Sequence, residues 1–154
     1  MKNAKCLRLR IIRPVFEDIA ISELSEKYFH GKSIRNSRDI YELFSHLSRE
    51  TKEHFIAIHL DTKNRIICVD TISIGSLTSS IVHPREVFKS VLLSSAASIA
   101  LVHNHPSGAP EPSRDDIDIT TRLKEAGNFL GIPVIDHIII GNGSYISLIE
   151  KGYF

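Results

Sequence analysis

Cysteine is scarce in this chain: Cys6 and Cys68 are its only two. Two thiols cannot build the disulfide framework of a small secreted domain, and they allow neither a Cys-x-x-Cys pair nor a cysteine-rich zinc cage. Long apolar runs are missing as well. The longest, at residues 98–102 and 138–140, are strand-sized and far short of a bilayer span. Basic residues interrupt the apolar positions near the start, so no signal-peptide core is legible there. Neither sign of charge dominates. With 19 Lys and Arg against 18 Asp and Glu the net charge is +1, which argues against broad coating of nucleic acid. Internal repeats and low-complexity tracts are absent too. What remains is a chain of 154 residues, 42% hydrophobic and 24% charged. That is the composition of one globular domain, expected to be soluble and cytoplasmic, with no membrane partner.

The pattern along the chain alternates strands with helices. Residues 5–13 mix apolar and basic side chains as a half-exposed strand does, and five positive charges fall between Lys2 and Arg13. A solvated edge strand protected by charge explains that strip better than a phosphate-binding surface does. Residues 15–36 read as a connector. A helix is expected from Ser37, with Ile40, Leu43, Phe44 and Leu47 on one face. Residues 53–60 read as a strand, 61–64 as a turn and 65–69 as the returning strand. Pro84 suits the first turn of a helix through Val87, Val91 and Leu92. The run 99–102 is continuously apolar, as in a strand buried on both faces. A second helix follows, with Ile119, Leu123, Ala126 and Leu130 inward and Gly131 as its cap. Residues 134–140 and 144–149 flank Gly141-Asn142-Gly143 as a hairpin. The fold class is therefore α/β, a mixed β-sheet flanked by helices.

Several motifs fail. Gly31-Lys32-Ser33 resembles the end of a phosphate loop, but Glu26 stands where its first glycine belongs. Gly141-Asn142-Gly143 lacks the third glycine of a dinucleotide site. His54 and His59 are spaced for neither face of a helix or strand, and His30, His46 and His83 carry no functional signal.

The informative stretch runs from His103 to Asp116. Side chains two apart on a strand point to the same face, with Cα atoms about 6.6 Å apart, close enough for two imidazoles to converge on one ion. His103 and His105 stand so, Asn104 pointing the other way, where a buried strand emerges into a loop. Alone the pair means little, since about 0.4 such pairs are expected by chance among this many histidines. The Pro after the second His, with Ser113 and Asp116 at their later positions, lowers that expectation by orders of magnitude. Ser113 and Asp116 also form a capping box before an amphipathic helix, which accounts for them without a metal. Capping does not account for two histidines at a buried strand's end. Asp116 lies one turn before Ile119 and Leu123 and can turn toward the sheet. His137 reads as a satisfied buried residue rather than a ligand.

His-x-His followed after ten residues by Asp resembles the signature of the JAMM (MPN-plus) metalloproteases. The wording at residues 103–108 and 112–116, with residues 80–89 and 131–141, is similar to the RadC branch. The resemblance implies an MPN/JAB architecture, related to cytidine deaminases, over residues 33–154. Residues 1–32 would form a strand-like arm and connector in place of the helix-hairpin-helix region of longer RadC proteins. It further implies that His103, His105 and Asp116 hold one Zn²⁺ per chain with an open fourth position, as catalytic zinc sites do. A general base would then take a proton from water and pass it to a leaving amine. The family's glutamate on an upstream strand matches Glu53. Glu86 competes for that role, although an acid in a helix's first turn is ordinary. Ser113 would stabilise the oxyanion, its hydroxyl donating while its oxygen accepts in the cap. The implied activity is hydrolysis of a peptide or isopeptide bond in a peptide or protein substrate. Two other readings accompany the family: a DNA-associated protein, for which Lys5, Arg8 and Arg10 are the available cations, and a non-catalytic interaction scaffold, against which the intact ligand string argues.

Overall fold

The strand built on the apolar run 99–102 forms the middle of a five-stranded sheet in the computed structural model, which describes residues 15–17, 31–75 and 82–153. In chain order the elements are α1 (Ser37–Phe44), a 3₁₀ turn (Ser45–Arg49), β1 (Glu53–Leu60), β2 (Ile66–Gly75), α2 (Pro84–Leu93), β3 (Ser98–Asn104), α3 (Arg114–Leu130), β4 (Val134–Ile140) and β5 (Tyr145–Ser147). The sheet order is β2-β1-β3-β4-β5. Among the described strands only β3 and β4 run parallel, and α3 makes the crossover that a parallel pair requires. The α/β class with a mixed sheet is as the sequence implies. The basic strip at residues 5–13 and most of the connector lie outside the described residues.

All seven residues of β3 are buried, because helices cover both faces of the sheet. On one face Ile56, Ile58, Ala100, Val102, Ile138 and Ile140 pack against Ile40, Leu43 and Phe44 of α1 and Leu47 of the 3₁₀ turn. On the other, Phe55, Ala57, Ile99 and Leu101 pack against Val87, Phe88 and Val91 of α2 and Ile119 and Leu123 of α3. Full burial of each large apolar side chain contributes about 1.5–3 kcal/mol. Among the described residues no helix is long and apolar enough to cross a membrane.

Three details differ from the sequence pattern. β2 continues to Gly75, past the polar Asp70 and Ser73, because β1 pairs with it along its whole length and two bulges absorb the extra residues. Leu92 is 54% exposed, so α2 buries Val87, Phe88 and Val91 instead. Leu130 is 41% exposed, and α3 turns Asp116, Ile119, Thr120, Leu123 and Gly127 inward. That stripe follows the helix period, and by residue 130 the helix is ending in the left-handed Gly131 cap (φ 73°).

Gly127 marks a close approach of backbone to helix. A Cβ there would lie 2.4 Å from the Ile132 carbonyl oxygen and 3.1 Å from Phe88 Cζ. Alanine gains about 1 kcal/mol over glycine in a helix interior, but overpacking against fixed backbone costs about 1–3 kcal/mol. Gly127→Ala is expected to lower the urea midpoint; a midpoint at or above wild type contradicts this packing.

At the far end of β1, buried His59 sets Nδ1 2.8 Å from Ser94 Oγ and 3.3 Å from Cys68 Sγ, and its Nε2 has no partner among the described residues. Burial lowers the His59 pKa, with the Asp70 charge partly opposing. The folded protein then binds fewer protons here than the unfolded chain below about pH 6.5, so this contribution to stability is present above that pH and lost as pH falls. Denaturant midpoints measured from pH 7.5 to 5.5 should fall less steeply in His59→Gln than in wild type. Parallel curves would show that His59 titrates alike in both states.

Candidate metal centre

Three elements deliver one cluster. β3 carries His103 one residue before its end, with a side chain that shares a face with Phe55 and Leu101 and is fully buried. The chain then leaves the sheet, and half-buried His105 follows, its backbone N–H still donating to the Ile140 carbonyl at 2.9 Å. Asp116 enters from the first turn of α3 and is 5% exposed. His103 Nε2 lies 2.9 Å from His105 Nε2 and 3.2 Å from Asp116 Oδ1, and His105 Nε2 lies 3.4 Å from Asp116 Oδ2. His103, His105 and Asp116 thus form a group that can hold a metal ion.

The capping box fixes the carboxylate. Ser113 Oγ accepts from the Asp116 N–H at 3.2 Å, while the Ser113 N–H and hydroxyl both donate to Asp116 Oδ2, at 2.7 and 2.6 Å. Cap and ligand are therefore one arrangement: Oδ2 is anchored to its own helix, and Oδ1 is turned to His103. The same geometry qualifies the role expected of Ser113. Its single hydroxyl hydrogen is engaged by Asp116, so donation elsewhere requires the hydroxyl to turn.

The donor chemistry suits a cation. His105 Nδ1 is 2.8 Å from the Ala109 carbonyl, which only accepts, so Nδ1 carries the hydrogen and a neutral ring turns the Nε2 lone pair to the cluster. Two imidazole nitrogens and a carboxylate so disposed repel one another unless a positive charge lies among them. The two ring nitrogens stand 2.9 Å apart, and each faces its own oxygen of the Asp116 carboxylate, at 3.2 Å for His103 and 3.4 Å for His105. Without a metal the same field acts on protons. His105 is raised by its hydrogen bond to Asp116, against burial. His103 is lowered by burial, against Asp116. Burial would raise Asp116, but hydrogen bonds with both histidines and Ser113 prevail and hold its carboxyl far below the usual range.

Glu53 opens β1 and lines an open cleft of about 670 Å³ together with Thr51, Lys52, Gly75, His105, Ser113 and Asp116. Its charge acts on both His103 and His105, raising each. Glu86, the competing acid, is exposed on α2, bonded to Lys89 at 2.8 Å, and is not among the residues lining this cleft. Asn104 does point to the opposite face, as the alternation requires, but it has a task there. Its Oδ1 accepts from the His54 N–H at 2.8 Å and its Nδ2 donates to the Lys52 carbonyl at 3.0 Å, pinning the peptide units on either side of Glu53. No sequence signal announced that role, because the pairing of β1 with β3 creates it. His137 is fully buried and hydrogen-bonded, 2.8 Å from His103 Nδ1.

The loop behind His105 rests on Gly141. A Cβ at Gly141 would lie 2.5 Å from the Gly108 carbonyl oxygen and 2.8 Å from Pro110 Cδ. Gly141→Ala must push out the segment whose Ala109 carbonyl orients His105. Metal affinity, measured by chelator competition, is expected to fall about 10-fold or more, as with other losses of support behind a ligand. Unchanged affinity would mean the loop does not position His105.

Comparison with known proteins finds relatives of this sequence. The sequence profile of the RadC-like JAB domain matches residues 34–153. A UPF0758 protein of Methanococcoides burtonii is 58% identical over 123 residues, 79% of this chain and 54% of that protein. A UPF0758 protein of Caldanaerobacter subterraneus is 50% identical over 152 residues, 98% of this chain and 64% of its own length. One of Geobacillus sp. is 61% identical over 103 residues, 67% of this chain and 46% of the relative. The chain thus spans about half to two thirds of the curated relatives it matches.

Proposed function

This chain belongs to the RadC-like JAB domain family, and from that premise we propose that it is a zinc-dependent hydrolase of peptide or isopeptide bonds, acting on a peptide or protein substrate. The observation that carries the reading is the convergence of His103 Nε2, His105 Nε2 and the Asp116 carboxylate, with His105 and Asp116 lining the same open cleft as Glu53. Two neutral imidazoles and one carboxylate leave a bound zinc ion positive, and three protein ligands are the number that catalytic sites use.

Bound there, zinc would supply Lewis acidity toward an amide carbonyl and lower the pKa of a water toward about 7. The residues of the chain do the rest. Glu53 takes the proton of the attacking water on its carboxylate and returns it to the departing nitrogen, so one group serves as base and then acid. The Asn104 bonds to Lys52 and His54 hold the strand end from which Glu53 projects. Ser113 turns its hydroxyl from Asp116 Oδ2, where it donates in the resting arrangement, toward the developing oxyanion. Burial of His103 and Asp116 keeps water from the back of the site, which strengthens every charge interaction within it.

Elemental analysis of the untagged chain is the test of this reading. About one zinc per chain is expected, and His105→Ala and Asp116→Ala should each lose it. Glu53→Gln should keep the metal while amide hydrolysis falls by at least about 100-fold, the size of a general-base contribution. A wild-type chain that retains no zinc after loading and desalting contradicts the proposal. Zinc retention with salt-sensitive binding to duplex DNA, and no hydrolysis in a peptide and isopeptide library, would turn it toward a DNA-associated role.

A further inference from the structure

Behind the proposed ligands lies a second set of polar groups whose hydrogens can be traced. Thr120 Oγ1, on α3, donates to the Asp116 carbonyl at 2.5 Å. A hydroxyl has one hydrogen, so toward His137 Nδ1, 2.6 Å away, Thr120 must accept and His137 Nδ1 must carry the proton. A neutral His137 then has only a lone pair on Nε2. That atom lies 2.8 Å from His103 Nδ1, which must donate. With its hydrogen on Nδ1, His103 turns a bare Nε2 toward His105 and Asp116.

We propose that Thr120 and His137 form a directed hydrogen-bond chain that fixes the tautomer and ring orientation of His103, making both of them positioning residues for the metal. The inference rests on the metal reading above and adds residues that the ligand motif does not contain. The chain starts at the backbone carbonyl of Asp116, passes through Thr120 and His137, and ends at Nδ1 of His103, whose Nε2 lone pair then faces the side chain of the same Asp116 at 3.2 Å. His103 and His137 are fully buried and Thr120 is 1% exposed, so water cannot stand in for a missing member, and a reversed direction would leave two hydrogens or two lone pairs face to face. His137 also meets Phe55 edge-on, with ring centroids 5.3 Å apart, and that contact serves packing alone. A packing role needs a ring of this size. The relay needs nitrogen in two defined states.

Two measurements separate these roles. Long-range ¹H–¹⁵N correlation spectra of the zinc-loaded chain should show neutral His137 with its hydrogen on Nδ1; the Nε2–H tautomer would overturn the proposal outright. Zinc affinity by chelator competition should fall about 10–100-fold in Thr120→Val, which keeps shape and loses the acceptor, and should return to within about threefold of wild type in Thr120→Ser. An unchanged affinity in a folded Thr120→Val contradicts the relay while leaving the metal site intact. Should that variant not fold, the wild-type spectrum decides. A wild-type chain that binds no zinc fails the metal reading itself, and this inference with it.

Discussion

A carboxylate and an imidazole buried within 3.2 Å of each other constrain everything around them. Neither would be stable alone in that place, since an isolated buried charge costs several kcal/mol and an unpaired polar group about 1–3 kcal/mol. They are tolerable because each remaining polar atom has a defined partner: the Ser113 cap for Asp116 Oδ2, the Ala109 carbonyl for His105 and the His137 ring for His103. Those partners come from a helix start, a loop and a neighbouring strand. The end of β3 is consequently where sheet, crossover helix and loop are all held to one register.

The topology explains why the candidate site lies at this end of the sheet. β3 and β4 are parallel, and both present their C-terminal ends here. β1 runs the other way, so its first residue, Glu53, reaches the same edge. Crevices at the carboxyl ends of parallel strands recur as ligand sites, because the chain must leave the sheet there and the following helix begins nearby. In this molecule the helix that begins there supplies the Asp116 carboxylate from its own cap, so α3 is tied to the site at its first turn.

Much of that arrangement could be read locally. The spacing of His103 and His105 was legible as strand alternation, although His105 falls just past the end of β3, and Ser113 with Asp116 was legible through capping chemistry, because each depends on neighbours a few residues away. The inward face of β3 showed as an uninterrupted apolar run. Three things depend on pairings distant in sequence and carried no local sign. Asn104 acts on β1, some fifty residues back. The partners of His137, Thr120 on α3 and His103 on β3, meet it only once the crossover has placed β4 beside β3. The reach of β2 to Gly75 runs against its own polar residues, since the ladder with β1 outweighs the weak preferences of Asp70 and Ser73 for loops. His137 read as a satisfied buried histidine, and it is one; what could not be read was which groups satisfy it.

X-ray absorption at the zinc edge of the loaded chain tests the central claim most directly, since it reports the ligand atoms themselves. The account predicts a shell of about four nitrogen and oxygen neighbours at about 2.0–2.1 Å with the multiple scattering of two imidazoles. A sulfur shell at about 2.3 Å would place the metal at a cysteine, and a shell without imidazole scattering would remove His103 and His105 from it. Either would contradict the account.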